Sequence, residues 1–197
     1  MLKSVAIANR SSGSGSKLKD LELPFDRVFE PEEIDWAQCL DADLLVMFGG
    51  DGTIQHTVTA MISRLNHTGS AAVDVNSPAL AIVPYGTTNM SARTINRSGN
   101  RKEAVRTLRK VLQLDSAAGL TTYRHPLLKI VTEETVQYGY AFGVGAIANF
   151  VQAWRIRRGR TTAINQLRSL LSLLRGLRNA DDHTSVTLNA ATMDVYA

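Results

Sequence analysis

Leu44-Leu-Val-Met-Phe-Gly-Gly-Asp-Gly-Thr53 is the stretch on which the fold turns. Its first five residues are apolar without alternation, the pattern of a strand buried on both faces, and such strands belong inside a parallel α/β sheet. A helix follows the glycine-rich turn, since Ile54, Val58, Met61, Ile62 and Leu65 recur at helical spacing over Thr53 to Leu65. A turn without Cβ atoms lets backbone amides come close to an anion, and the helix dipole favours negative charge at its N-terminus. Gly49, Gly50 and Gly52 therefore read as a phosphate cradle. Asp51 suits the orientation of a Mg²⁺-bound water or of a polar group on a nucleotide, and Thr53 suits a helix cap or a bond to a phosphate oxygen. The same residues also fit a plain tight turn in which Asp51 only caps a helix.

Upstream, Ser4 to Asn9 is an apolar run ending in Arg10-Ser-Ser-Gly-Ser-Gly-Ser16, a buried strand that delivers a flexible turn. A short strand is expected at Arg27 to Phe29, and proline and acids at the start of Pro31 to Leu40 predict a helix there. Downstream, Ala79 to Val83 is another fully apolar strand, followed by Pro84-Tyr-Gly-Thr-Thr-Asn-Met-Ser-Ala-Arg93 opening a further helix. In a parallel sheet both loops emerge at the carboxyl edge, where ligands of such folds bind. Thr87, Thr88 and Asn89 offer short polar groups there, and taken singly they also fit ordinary turn and cap residues, the preferred reading for Thr88.

A helix over about Arg101 to Leu114 has the core stripe Ala104, Val105, Leu108, Val111 and Leu112, and beyond it the pattern becomes β-rich. Strands are expected at Pro126 to Val131, Val136 to Phe142, Thr184 to Leu188 and Met193 to Tyr196. This predicts an α/β domain over 1–119 and a mainly β second domain, only partly present, over 120–197. So few strands leave open edges, so the expectation is a truncated second domain, or one completed by a partner, a second copy of this chain included.

With 197 residues and 44% hydrophobic content the chain can bury a substantial core. The start has no secretory pattern and no run approaches a membrane span, which points to a cytoplasmic protein. Cys39, the single cysteine, excludes an internal disulfide or a cysteine-cluster zinc site and reads as a small buried apolar residue. His56, His67, His125 and His183 lack the spacing of a metal site. The net charge of +4 is unevenly spread: residues 151–180 hold seven arginines and no acid. Within that block Ile164, Leu167, Leu170, Leu171, Leu174 and Leu177 form an apolar stripe, so it reads as a basic amphipathic helix. Such a helix either lies on an anionic bilayer or packs on the β-rich domain with a solvated basic face.

The motifs together resemble the diacylglycerol kinase catalytic-domain family, which includes sphingosine kinases and bacterial lipid kinases. Asn9-Arg-Ser-Ser-Gly13 is similar to the family's Asn-Pro-x-Ser-Gly loop, Gly49-Gly-Asp-Gly-Thr53 to its nucleotide motif, and Pro84-Tyr-Gly-Thr-Thr-Asn89 with Ala92-Arg93 to its Pro-x-Gly-Thr-x-Asn-x-x-Ala-Arg segment. The resemblance covers roughly the first half of the chain. It implies a nucleotide-binding α/β domain of the NAD kinase and phosphofructokinase type, a β-sandwich that helps bind lipid, and ATP in the cleft between them. It implies that ATP, with Mg²⁺, is bound by Asn9, Ser12, Gly13, Gly49, Gly50, Asp51, Gly52, Thr53, Thr87 and Asn89, with Asp51 catalytic beside the metal and phosphates. Arg10 replaces the family's proline. The family's downstream acidic segment and general base have no counterpart here, so the expectation is nucleotide binding with little or no turnover.

The expected activity is transfer of the ATP γ-phosphate to a lipid hydroxyl at an anionic membrane surface. A soluble kinase of the NAD kinase type and a nonenzymatic nucleotide- or lipid-binding fragment are the alternatives. Gly143-Val-Gly-Ala-Ile-Ala148 has the outline of a dinucleotide fingerprint but lacks the acid expected about 20 residues later. Specific nucleic-acid binding is not expected, because apart from Trp154 the arginine block carries no aromatic residue for base stacking.

Overall fold

Strands β1 (Ser4–Ala8), β2 (Arg27–Phe29), β3 (Leu44–Gly49) and β4 (Ala79–Pro84) form one parallel sheet in the order β2-β1-β3-β4. The computed structural model describes residues 1–11, 22–67, 77–86, 88–96, 100–132, 134–141 and 193–196. Every residue of β1 and β3 is buried, as expected of central strands covered on both faces. Their side chains alternate between two cores. Val5, Ile7, Leu45 and Met47 join Ile54, Val58, Met61 and Ile62 of helix α2 (Asp51–His67) on one face. Ala6, Ala8, Leu44, Val46 and Phe48 join Leu108 of helix α4 (Arg101–Val111) on the other. The period of 2 in the strands and of 3.6 in the helices thus places α2 and α4 on opposite faces.

Two short helices complete this layer. Helix α3 (Met90–Asn96) follows β4. Helix α1 is shorter than its sequence predicts: it spans Trp36–Leu40, and Pro31 lies ahead of it in a turn closed by the Glu33 amide donating to the Glu30 carbonyl at 3.1 Å. Asp35 sets the start instead, its Oδ1 accepting from the amides of Ala37 at 3.0 Å and Gln38 at 3.3 Å. The Gln38 side chain, foremost among these donors, helps hold the Asp35 carboxyl below its ordinary range. A side-chain cap that satisfies two orphan amides outweighs the weaker preference of proline for a first turn. Helix α1 buries Cys39, and burial, with the Asp35 charge adding to it, pushes the thiol up to about 11.

Strands β5 (Arg124–Val131), β6 (Val136–Gly139) and β7 (Met193–Tyr196) form an antiparallel sheet in the order β6-β5-β7. The Thr132 amide donates to the Thr135 carbonyl at 2.8 Å and closes the β5–β6 turn. All elements named so far fall within one compact unit, Met1–Tyr140 with Ala191–Ala197. The predicted strand at Thr184 to Leu188, the Gly143–Ala148 turn and the arginine-rich stretch lie outside the described residues.

Helix α2 also protects this second sheet. Thr59 Oγ1 accepts from the Tyr138 amide at 2.9 Å and donates to the Tyr138 carbonyl at 3.1 Å, so one hydroxyl serves both ladder groups that β6 turns away from β5. Gln55 Nε2 donates to Gln137 Oε1 at 2.8 Å one helical turn earlier. An unpaired strand edge is a site of unwanted association, and here a helix covers it. Thr59→Val removes both bonds while keeping the shape, and is expected to lower unfolding free energy by about 1–3 kcal/mol in a urea titration.

Tyr140 carries a buried hydroxyl that has no hydrogen-bond partner among the described residues, and its burial pushes the phenol up to about 12. The folded chain therefore holds this proton more tightly than the unfolded chain, whose phenol titrates at 10.0. The sign follows: the contribution is intact below pH 10 and is lost as pH rises towards about 12. Tyr140→Phe is expected to match or exceed the parent's thermal stability at pH 7 and to flatten its loss of stability above pH 10.

Candidate functional site

The parallel sheet delivers three loops to one edge, because β1, β3 and β4 all end there. The Asn9 amide donates to the Phe48 carbonyl at 3.0 Å and the Tyr85 amide to the Gly49 carbonyl at 2.9 Å, so the ladder extends into the loops themselves. Beyond this point the chain after β3 turns directly into α2. The Gly50 carbonyl accepts the Ile54 amide at 3.1 Å, making Gly50 the cap residue. The amides of Asp51, Gly52 and Thr53 then stand in the first turn, where a helix has no internal acceptor for them.

Glycine is required here by contacts between loops. A Cβ on Gly86 would lie 2.4 Å from the Gly50 Cα, and one on Gly50 would lie 3.0 Å from the Gly86 Cα. A Cβ on Gly49 would lie 2.6 Å from the Thr53 Cβ. Two glycine loops from adjacent strands thus touch backbone to backbone, a contact that the sequence reading of the first loop, as a phosphate cradle or a plain tight turn, does not foresee. Gly52 is exposed and carries no side chain over the start of α2.

Asp51 is the junction. Its Oδ1 accepts the Ser91 amide at 2.7 Å and its Oδ2 accepts the Thr88 hydroxyl at 2.7 Å. The carboxylate therefore sits in the first turn of α2 and also binds the first turn of α3, so it does act as a cap, but of the neighbouring helix. Helix dipoles favour a negative charge at both positions.

Asn89 shapes the second loop. Its Oδ1 accepts the Gly86 amide at 2.8 Å, its Nδ2 donates to the Gly86 carbonyl at 2.9 Å, and its own carbonyl accepts the Arg93 amide at 3.0 Å. Its φ of 51° lies in the left-handed region, which asparagine tolerates better than most residues. Asn9 ties in the first loop: its Nδ2 donates to Thr53 Oγ1 at 2.8 Å and its Oδ1 accepts the Ser11 amide at 3.0 Å. Arg10 pairs with Glu30 at 3.0 Å.

Of the residues expected to form the site, Asn9, Gly49, Gly50, Asp51, Gly52, Thr53 and Asn89 come together at this edge. Ser12, Gly13 and Thr87 lie outside the described residues. Ser91 and Gly86 belong to the same cluster and were not singled out for it by sequence, and Thr88, named at this edge but read mainly as a turn or cap residue, belongs to it as well. Gly86 was legible in principle, as a glycine after a buried strand whose neighbour strand also ends in glycines.

The arrangement fits a nucleotide phosphate, since it offers first-turn amides, for which the helix has no internal acceptor, under a residue without a side chain. Among the described residues no group of three or more acidic, histidine or cysteine side chains could hold a metal by itself. Asp51 fits Mg²⁺ in the way that ion is held beside phosphates, through one or two carboxylates with waters and phosphate oxygens supplying the rest.

Fold and site together define a parallel α/β domain with a glycine-rich strand–turn–helix site at the carboxyl edge of its sheet. Residues 30–118 match the family model of the diacylglycerol kinase catalytic domain. The match contains the Gly49–Thr53 and Pro84–Asn89 loops. The chain is also similar to a crystal structure described as a diacylglycerol kinase from Bacillus anthracis str. Sterne, at 21% identity and a TM-score of 0.44. A structure of a candidate diacylglycerol kinase from the same organism shows 22% identity and a TM-score of 0.43. Each similarity covers 64% of this chain and 41% or 42% of the solved one, so the chain spans about two-fifths of their length. No curated protein sequence matches the chain.

The loop contact gives a direct test. Gly86→Ala must displace the Gly50 backbone, which has no flexible side chain to yield, and is expected to cost about 1–3 kcal/mol in chemical denaturation. Stability equal to the parent would show that the two loops do not meet in solution.

Proposed function

We propose that the chain is the nucleotide-binding part of an ATP-dependent lipid kinase that transfers the γ-phosphate to a lipid hydroxyl. The observation that carries this reading is the placement of Asp51 between two touching glycine loops, at the start of α2, inside a segment that matches the diacylglycerol kinase catalytic-domain model. The loop at Gly49–Thr53 binds phosphate through backbone amides. The loop at Pro84–Asn89 holds Asp51 and forms the neighbouring wall.

Phosphoryl transfer relies on positioning and on neutralising phosphate charge. Mg²⁺ bound with the nucleotide supplies that neutralisation. Asp51 orients the metal's water shell, and the α2 amides bind the phosphate oxygens. A bare phosphate would meet repulsion from the Asp51 carboxylate at this helix start, so the site suits a phosphate that arrives with a cation. The acceptor, a diacylglycerol or sphingoid-like alcohol, reaches the site from an anionic membrane surface on which the protein sits peripherally from the cytoplasm. Among the described residues no helix is long and apolar enough to cross a membrane.

The test is transfer of radiolabelled γ-phosphate from Mg-ATP to diacylglycerol, sphingosine, ceramide and NAD in anionic micelles, with ATP affinity measured on the same sample. A labelled lipid establishes the kinase. Labelled NAD, or no detectable ATP binding, overturns the reading. Asp51→Asn keeps an acceptor for the Ser91 amide and so preserves the loop, yet is expected to lower any phosphotransfer at least a hundredfold, which activity assays on a folded variant will show.

A further inference from the structure

The nucleotide reading leaves open how the Asp51 carboxylate is aimed, and the structure carries an answer in a residue that belongs to neither glycine turn. We propose that Thr88 is a positioning residue, which fixes the Asp51 carboxylate for the cation that accompanies a bound nucleotide. The inference rests on the nucleotide reading above and adds to it a residue and a task.

A carboxylate held through one oxygen rotates about its Cβ–Cγ bond at little cost, because that torsion is broad. Asp51 is held through both. The Ser91 amide bonds Oδ1 and the Thr88 hydroxyl bonds Oδ2, each at 2.7 Å, and the two donors lie three residues apart, Thr88 just before α3 and Ser91 in its first turn. Together they fix the plane of the carboxylate. Each oxygen keeps a lone pair for a metal-bound water, since a carboxylate has about four acceptor sites.

The loop does not need the Thr88 hydroxyl to keep its place. It is already held by the Tyr85 amide on the Gly49 carbonyl, by both Asn89 side-chain bonds to Gly86 and by the Gly50–Gly86 contact. Thr88 itself is exposed and contributes no core burial. Its hydroxyl therefore acts on the orientation of Asp51 and adds little to the stability of the domain.

The test measures the affinity of the full chain for ATP in saturating Mg²⁺ and in chelator, for the parent, Thr88→Val and Thr88→Ser, with thermal melting as the check on folding. The expected result is a Mg²⁺-dependent gain in the parent that falls about tenfold in Thr88→Val and returns in Thr88→Ser, with affinity in chelator unchanged. An unchanged gain in Thr88→Val overturns the inference. So does a larger gain, which would mean that the hydroxyl competes with the metal for Oδ2, and so does an equal loss in the Ser variant. A parent that binds ATP without any Mg²⁺ gain also overturns it while sparing the nucleotide reading. A parent that binds no ATP overturns both, and is seen before any variant is made.

Discussion

The contact of Gly50 with Gly86 is the constraint on which the site depends. Strands β3 and β4 are paired in parallel through Gly49 and Pro84, so their next residues leave the sheet side by side. Two chains can part or touch at such a point. Here they touch, because neither glycine carries a Cβ, and only in that arrangement does Asp51 reach both Thr88 and the Ser91 amide. The part-buried bond from the Ser91 amide is charge-assisted and contributes about 1.5–3 kcal/mol, whereas the exposed Thr88 bond adds little to stability. A side chain at Gly50 or Gly86 would set its steric cost directly against them.

Helix α2 carries that local geometry further into the molecule. Its first turn presents the candidate phosphate amides, its apolar stripe fills one core of the parallel sheet, and Thr59 covers the edge of β6. Tilting or sliding the helix would disturb all three at once. The stiffness of the site thus comes from burial and from edge pairing far from the loops, as is usual when functional loops sit on a rigid frame.

The elements were largely legible in the sequence because their signals are local. Leu44 to Phe48 and Ala79 to Val83 announce buried strands by uninterrupted apolar runs, and Ile54 to Leu65 announces a helix by its spacing. The start of α1 was not, since Pro31 and Asp35 both suit a helix beginning and only the hydrogen bonds of Asp35 decide between them. The pairings inside the site were hidden for a different reason. Asn9 meets Thr53 across 44 positions, Asp51 meets Thr88 across 37, and Thr59 meets Tyr138 across 79. Such contacts follow from strand order, and one sequence carries no local signal of strand order. Hence the sequence places Gly49, Gly50, Gly52 and Asp51 at the carboxyl edge, where the structure has them, while their mutual contacts and the bond from Thr88 to Asp51 were not legible.

On the nucleotide reading we propose, a carboxylate and a phosphate would compete for the same helix start, and this competition would give the site its chemical character. At about 4 Å two like unit charges repel by roughly 1 kcal/mol in water and roughly 4 kcal/mol at the effective dielectric of a protein surface. The amides of α2 offset part of this for whichever anion arrives, but Asp51 is already in place, fixed by two donors. A free phosphate therefore meets both an attractive backbone and a repulsive side chain. A dication between them reverses the second term, since carboxylate and phosphate then both face positive charge. On that reading the geometry would discriminate by cation content more than by phosphate alone, and the discrimination would sharpen as the Asp51 carboxylate becomes more rigid, because a carboxylate free to turn away could yield to either ligand.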